Sequence, residues 1–368
     1  MEILHLNSNY IFTEIYKNAI NNMDSDFVHY IFNPLYNEVD FDNNIENIEI
    51  YAPVILTKYD RIFNRNRAIK TIKYLENNIP LNFIKLIHAH TLTNDGVLAL
   101  KLNEKYGIPY ILTVRNTDIN YSLKYKKYNM HLYKNTLKNA SLIIFPNNSY
   151  KKKLLDLFKT DAILCEKIIN SKVIPNGIDS YWHDNVYTDV RTLKDKLNLI
   201  YVGRIYKNKN LHNILKAVSR LESEYKIDIK VAGKIIDQNY FNQLELIHPF
   251  TYLGELEKGQ LKNIYRESDI FVMPSFNETF GLVYIEALSQ NLPIVYTKYE
   301  GIYGYFNDYE YGVPVQANNY NEICSGIKYI VRNYSDIQCN LENKDFLEGF
   351  NWETIGKIYN KIYVELKR

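Results

Sequence analysis

The chain has 368 residues, 46% of them hydrophobic and 23% charged, with a formal charge of +2. That length calls for two cores rather than one, and the composition excludes a disordered or fibrous chain. The near-neutral balance excludes a molecule built to neutralise a polyphosphate backbone, so no nucleic-acid partner is expected.

Short apolar runs alternate with longer helical patterns, which predicts βαβ units and mostly parallel sheets. In the first half, strands are expected at Ile3–Leu6, Phe27–Ile31, Leu86–His88, Tyr110–Val114 and Leu142–Phe145. Helices are expected over Phe12–Asn22, Asp60–Asn77, Asn94–Tyr106, Tyr121–Asn139 and Ser149–Phe158, with Gly107-Ile108-Pro109 as a stop between helix and strand. The pattern restarts at Leu199–Val202, followed by strands at Ile229–Ala232, Thr251–Leu253, Ile270–Met273 and Pro293–Tyr296. Two or three helices close the chain. The domain limits expected from this are 1–180 and 181–350, joined through the polar stretch before Leu197. The fold class is α/β, two Rossmann-like doubly wound parallel-sheet domains facing across a cleft. In such sheets ligands sit at the carboxyl ends of the strands, by helix N-termini, and the cleft is the expected site.

Cys165, Cys324 and Cys339 are scattered, which indicates neither a disulfide framework nor a zinc site. The start, MEILHLNSNYIF, does not read as a leader, and no apolar run approaches the roughly 20 residues that span a bilayer. A cytoplasmic location is expected.

The segment carrying most chemistry is Pro274-Ser275-Phe276-Asn277-Glu278-Thr279-Phe280-Gly281-Leu282-Val283-Tyr284-Ile285-Glu286. A strand ends at Met273, a polar turn follows, and a helix is expected to start near Thr279. Its free N–H groups and dipole suit a phosphate, and Gly281 lets a ligand approach the backbone. Glu286 lies roughly 9–12 Å beyond Glu278 along the helix. One carboxylate can therefore stand near a sugar and the other near a ribose. Two Glu at this spacing are ordinary surface groups unless the strand–turn–helix context holds. In the second segment, Val202-Gly203-Arg204-Ile205-Tyr206-Lys207-Asn208-Lys209, Arg204 offers a fork to phosphate oxygens and Lys209 a point charge.

These segments resemble the retaining family 4 glycosyltransferases of GT-B fold, and the likeness runs through nearly the whole chain. Glu278 and Glu286 match the family's E-x7-E motif, and Arg204 and Lys209 match its phosphate-binding pair. The resemblance implies that Arg204 and Lys209, next to Gly203, hold the diphosphate of a nucleotide-sugar donor. It further implies that Glu278 contacts the donor sugar, that Glu286 contacts the ribose, and that the amides of Thr279, Phe280, Gly281 and Leu282 line the site. Phe350-Asn351-Trp352-Glu353 resembles the start of the family's last helix, which returns to the first domain as residues 351–368. The implied reaction is transfer with retention to a glycan or lipid-linked acceptor, in capsule, O-antigen or exopolysaccharide synthesis in a bacterium. With Arg204 and Lys209 facing the leaving phosphate, no metal and no other cofactor is expected. The strings Asp24-Ser25-Asp26 and Asp40-Phe41-Asp42 read as turn chemistry rather than a metal site.

Three positions depart from the family pattern. Asn7-Ser8-Asn9-Tyr10 lacks the usual glycines. Arg115 stands where many members carry a His, and Asp118 is expected to orient it. Glu300-Gly301-Ile302-Tyr303-Gly304 replaces Gly-Gly-x-x-Glu. Ser8, Asn9, His90 and Arg115 are the expected acceptor-side residues, although His88 and His90 at a strand end are as readily structural. The other histidines are given no role. From Ile119 to Lys159 nine Lys stand against one Asp, a local +8, interleaved with Tyr, Leu and Met. That suits either a solvated helix face or an anionic membrane surface. The competing readings are a nucleotide-sugar epimerase of the same fold and an inactive relative that binds nucleotide or glycan.

Overall fold

The computed structural model describes residues 1–41, 47–61 and 64–366. The chain divides into two compact units, Met1–Asn176 with Trp352–Arg368, and Gly177–Asn351.

The first unit is built on seven parallel strands: β1 Glu2–Leu6, β2 Val28–Phe32, β3 Ile48–Tyr51, β4 Leu86–Ala89, β5 Tyr110–Thr113, β6 Leu142–Phe145 and β7 Lys172–Val173. Their order in the sheet is β3-β2-β1-β4-β5-β6-β7. Central strands such as β4 and β5 are buried at every residue, as helices on both faces require. One face packs Leu4, Leu6, Ile87 and Leu112 under the helix Val97–Tyr106. The other packs Ile3, Leu86, Ile111 and Ile144 against Trp352, Ile355, Tyr359 and Tyr363 of the helix Trp352–Leu366. Gly356 is needed on that helix, because a Cβ there would stand 1.9 Å from the Asn22 carbonyl oxygen.

The second unit has six parallel strands: β8 Lys196–Val202, β9 Lys226–Ala232, β10 Thr251–Tyr252, β11 Ile270–Val272, β12 Ile294–Thr297 and β13 Gly312–Val315. Their order is β10-β9-β8-β11-β12-β13. In both sheets the strand order reverses once, at β1/β4 and at β8/β11. The loops leaving those strands are where a doubly wound sheet presents a ligand site.

Three strands escape the sequence pattern. β7 is two residues long, β3 follows residues 42–46, which lie outside the described part with Asp42 of the second D-x-D string, and β13 carries Pro314, tolerated at a sheet edge. The helix expected over Tyr121–Asn139 is broken. A π-turn at Asp118–Ser122 and a 3-10 turn at Lys127–Asn129 precede a regular helix only at Met130–Asn139. The helix Ala162–Ile169, capped by the Asp161 side chain, was not anticipated. Residues 62–63 of the helix expected over Asp60–Asn77 lie outside the described residues, and the helix runs from Asn64 to Asn78.

Candidate functional site

In the second unit the two motif segments leave β8 and β11 side by side and are stitched together. Phe276 N–H donates to the Asn208 carbonyl (2.9 Å), and the Asn208 and Asn277 amide side chains bond across the gap, each at 3.0 Å. Asn210, in the left-handed region at φ +63°, donates from its buried side chain to the carbonyls of Pro274 (2.8 Å) and Ala317 (2.6 Å). The β8 exit runs so close to β9 that a Cβ on Gly233 would stand 2.2 Å from the Gly203 carbonyl oxygen.

This scaffold sets Lys209 Nζ 2.6 Å from Glu278 Oε2, with the two side chains only 14% and 10% exposed. The other carboxylate oxygen of Glu278 accepts the Thr279 N–H (3.2 Å), and Glu278 N–H donates to Glu300 (3.4 Å). Arg204 is exposed, its guanidinium carbon 5.7 Å from the Tyr206 ring centre. The helix begins later than expected. Leu282–Ser289 is helical and Gly281, at φ +82°, is its N-cap, while Thr279 and Phe280 belong to the turn before it. A Cβ on Gly281 would meet the Tyr284 ring at 2.4 Å. The Phe280 side chain is buried against Tyr305 and Phe350, so only its backbone can meet a ligand.

Glu286 is half-buried one turn into that helix. Burial, and then the Asp179 carboxylate, push its carboxyl up to about 7, opposed by Lys258, which pairs with Asp179. Lys209 and Glu278 thus meet where the loops after β8 and β11 join, with Arg204 on the first loop and Glu286 on the helix that the second leads into. This arrangement can take up the negative charge of a diphosphate and hydrogen-bond a polyol beside it.

In the first unit Ser8 follows β1. Its Oγ donates to Asp95 (2.6 Å) and accepts from the Arg67 guanidinium (2.9 Å), while Arg67 also donates to the Tyr36 hydroxyl (3.2 Å). Burial pushes the Asp95 carboxyl up to about 6, against hydrogen bonds from Ser8 and the Arg67 charge. Asn9 is exposed, and with Ser8 and Arg67 it lines a cavity of about 390 Å³. Arg115 is partly buried, bonded to the Asn176 side chain (3.3 Å) and stacked 5.0 Å from the Tyr16 ring.

Two expectations for this unit need correction. Asp118 does not orient the Arg115 guanidinium. Its fully buried carboxylate accepts the backbone N–H groups of Arg115, Leu92 and Thr93 and the Thr93 hydroxyl, and so staples the loops after β4 and β5. His90 is not presented to a ligand either. It is 4% exposed and joins a buried imidazole chain in which His5 bonds His90 (3.0 Å) and His29 (2.9 Å). His88 stacks on His90 with ring centres 4.0 Å apart and bonds Tyr363 (2.6 Å) and Thr113 (2.9 Å). The ligand atoms of His5, His88 and His90 lie within 4.8 Å of one another, a spacing a metal could use. Both nitrogens of His5 and of His88 are already engaged by other side chains, however.

Arg67 and Asp95 had no readable signal, since each reaches Ser8 from a distant stretch of chain. Asp24-Ser25-Asp26 is an exposed turn closed by Asp26 N–H to Asp24 Oδ1 (3.1 Å). The basic stretch is not one continuous surface: Lys134 and Lys138 pair with Asp161, and Lys151 donates to the carbonyls of Ile169 and Ser171. Lys124 and Lys127 remain exposed among Tyr121, Tyr125 and Tyr128, which are 58%, 62% and 68% exposed.

Residues 28–181 match the family model of Glycosyltransferase Family 4, and residues 188–344 match that of Glycosyl transferases group 1. An uncharacterized glycosyltransferase of Methanocaldococcus jannaschii is 25% identical over 328 residues, covering 88% of this chain and 87% of its own. An alpha-monoglucosyldiacylglycerol synthase of Acholeplasma laidlawii is 26% identical, covering 75% of this chain and 73% of its own. Among solved structures, Anabaena HepE in complex with UDP and glucose superposes with a TM-score of 0.69 at 15% identity, over 99% of this chain and 100% of that one.

Proposed function

We propose that the chain, of GT-B fold and matched by the group 1 and family 4 models, is a glycosyltransferase that moves a hexosyl group from a nucleotide-diphosphate sugar to a glycan or lipid-linked acceptor with retention of configuration. The observation that carries this is the Lys209–Glu278 pair, with Arg204 on the same loop as Lys209, at the β8/β11 reversal and before the helix Leu282–Ser289. When the bond from the anomeric carbon to the phosphate oxygen breaks, its electron pair leaves with the nucleotide diphosphate. Arg204, Lys209 and the amides at Leu282 and Val283 stabilise that charge. Glu278, neutralised by Lys209 before the donor arrives, accepts hydrogen bonds from the sugar. An Arg at position 115 does not act as a base near neutral pH, so it serves the acceptor by hydrogen bonding. The two cations take the place of a metal ion in this reading.

A thermal-shift screen against UDP, GDP, ADP and CDP and their sugars, with and without EDTA, tests it. One nucleotide at about 100 times its Kd is expected to add about 2.7 kcal/mol, unchanged by EDTA. Stabilisation that disappears with EDTA would refute the metal-independent reading, and none from any nucleotide would refute the donor site.

Glu286 gives a second test. The ribose contact proposed for it needs a carboxylate to accept two hydroxyls. A group pushed up to about 7 loses that form as pH falls. Affinity for the nucleotide-sugar, whose phosphate diester does not titrate here, is expected to fall about twentyfold from pH 7.5 to 5.5. Calorimetry with Glu286→Gln is expected to show a flat profile, and a wild-type slope surviving in the variant would contradict the assignment.

The site of action proposed is the inner face of the plasma membrane of a bacterium, in surface-polysaccharide synthesis. The exposed Tyr121, Lys124, Tyr125, Lys127 and Tyr128 support it, as does a relative whose name specifies a glucosylated diacylglycerol. No helix among the described residues is long and apolar enough to cross a membrane. Flotation with anionic vesicles at low salt is expected to carry the protein upward, and replacing Lys124 and Lys127 with Glu to abolish this. Protein that stays at the bottom with wild-type sequence would end the membrane proposal.

A further inference from the structure

We propose that the cavity at the carboxyl ends of β1 and β2 binds an anionic group on the acceptor, a phosphate or a carboxylate, with Arg67 as its main contact. This rests on the transferase reading above and assigns its acceptor a chemical class. Arg67 is only 8% exposed, yet its guanidinium meets two neutral hydroxyls, those of Ser8 and Tyr36. Among the described residues no carboxylate lies within ion-pair distance of it. Asp95, the nearest acid in the network, spends its oxygens on Ser8 and Thr91. A guanidinium removed from water whose direct partners are hydroxyls, with Asp95 reached only through Ser8, is incompletely compensated, and a bidentate anion makes up the difference.

The space fits a sugar that carries the charge. The cavity measures about 390 Å³, within the size of small-molecule sites. Phe12 and Pro34 offer apolar surface for a ring, and Asn9, Asn37 and Asn94, which line the same cavity, suit its hydroxyls. Asp95, hydrogen-bonded to Ser8 from behind, fixes the Ser8 hydroxyl so that it accepts from Arg67 rather than turning away.

The test uses the full chain saturated with its donor nucleotide. Calorimetric titrations compare a hexose 6-phosphate, a hexuronate and the neutral hexose, and inorganic phosphate is used as competitor. One or both anionic sugars are expected to bind about ten- to a hundredfold tighter than the neutral one, less so at high salt, and to be displaced by phosphate. A preference confined to the hexose 6-phosphate identifies a phosphate on the acceptor, and one confined to the hexuronate a carboxylate. Arg67→Gln is expected to erase the preference while nucleotide affinity, measured in the same samples, stays at its wild-type value. Arg67→Lys is expected to keep part of it. Equal binding of charged and neutral sugars by the wild type, or a preference that survives Arg67→Gln, would overturn the proposal. If no nucleotide binds the wild type, the transferase reading fails instead, and the anion preference of the bare chain still decides this one.

Discussion

The double substitution Arg204→Ala, Lys209→Ala is expected to lower kcat/KM for the nucleotide-sugar by about three orders of magnitude or more. Removing one preorganised donor from a developing anion typically costs about 10²–10³ in rate, and two acting on the same phosphate are not fully additive. The structure separates the two contributions. Arg204 is exposed and paired with no carboxylate among the described residues, so Arg204→Ala removes its charge and its contact with the Tyr206 ring and strands no buried partner. Lys209 instead neutralises Glu278 at 2.6 Å, with both side chains largely shielded from water. Lys209→Ala therefore also leaves a shielded carboxylate beside the incoming phosphate, and it is expected to be the more damaging single change. Glu278→Gln frees Lys209 for the diphosphate. It is expected to leave binding of the nucleotide diphosphate unchanged or tighter, while transfer falls. Steady-state kinetics and calorimetry on the four variants check this, and wild-type turnover by the double variant would refute the site.

Acidification below about pH 6 is expected to destabilise the first unit steeply. Its core holds His5, His29, His88 and His90, none more than 4% exposed. Burial lowers all four, with His29 at about 4, His88 at about 3, and His5 and His90 well below the ordinary 6.5, the last two pressed further by neighbouring imidazoles. The unfolded chain thus takes up protons that the folded one refuses. The stability of the neutral cluster is fully present above pH 6.5 and is lost as pH falls towards 4 and 3. Each histidine contributes a slope of at most about 1.4 kcal/mol per pH unit, so four acting together approach about 5 kcal/mol per unit. A margin of about 5–15 kcal/mol is used up over about one to three such units. Asp95, raised to about 6, works in the opposite sense, since its contribution is present below 3.8 and fades as pH rises through 6. It softens the slope without reversing it. Circular dichroism melts from pH 7.5 to 4.5 are expected to show the loss, and His5→Phe to flatten the profile if the ring packs. A Tm independent of pH across that range would contradict the neutral, desolvated chain.

The second-unit site was legible because its residues are neighbours in sequence or follow the ends of strands that any doubly wound sheet brings together. Glu278 and Lys209 come from loops after β11 and β8, which flank the strand-order reversal. The helix start was misplaced by three residues because Gly281 takes the left-handed conformation, so the turn through Phe280 is not yet helical. The first-unit site was barely legible. Ser8 was named, but its partners Arg67 and Asp95 lie 59 and 87 residues away with no motif around them. Asp118 was read as an acid that orients Arg115. What decides its role is that three backbone N–H groups reach its carboxylate. The imidazole chain joins three adjacent parallel strands, a lateral relation that depends on strand order and register rather than on spacing along the chain.

The most direct measurement is a crystal structure of the chain with the nucleotide-sugar that stabilises it. The account predicts the diphosphate within hydrogen-bond distance of the Arg204 guanidinium, Lys209 Nζ and the amides of Leu282 and Val283. It also predicts the ribose on Glu286 and Lys209 drawn away from its present pairing with Glu278. A nucleotide bound elsewhere, with the Lys209–Glu278 pair intact and Arg204 untouched, would contradict it.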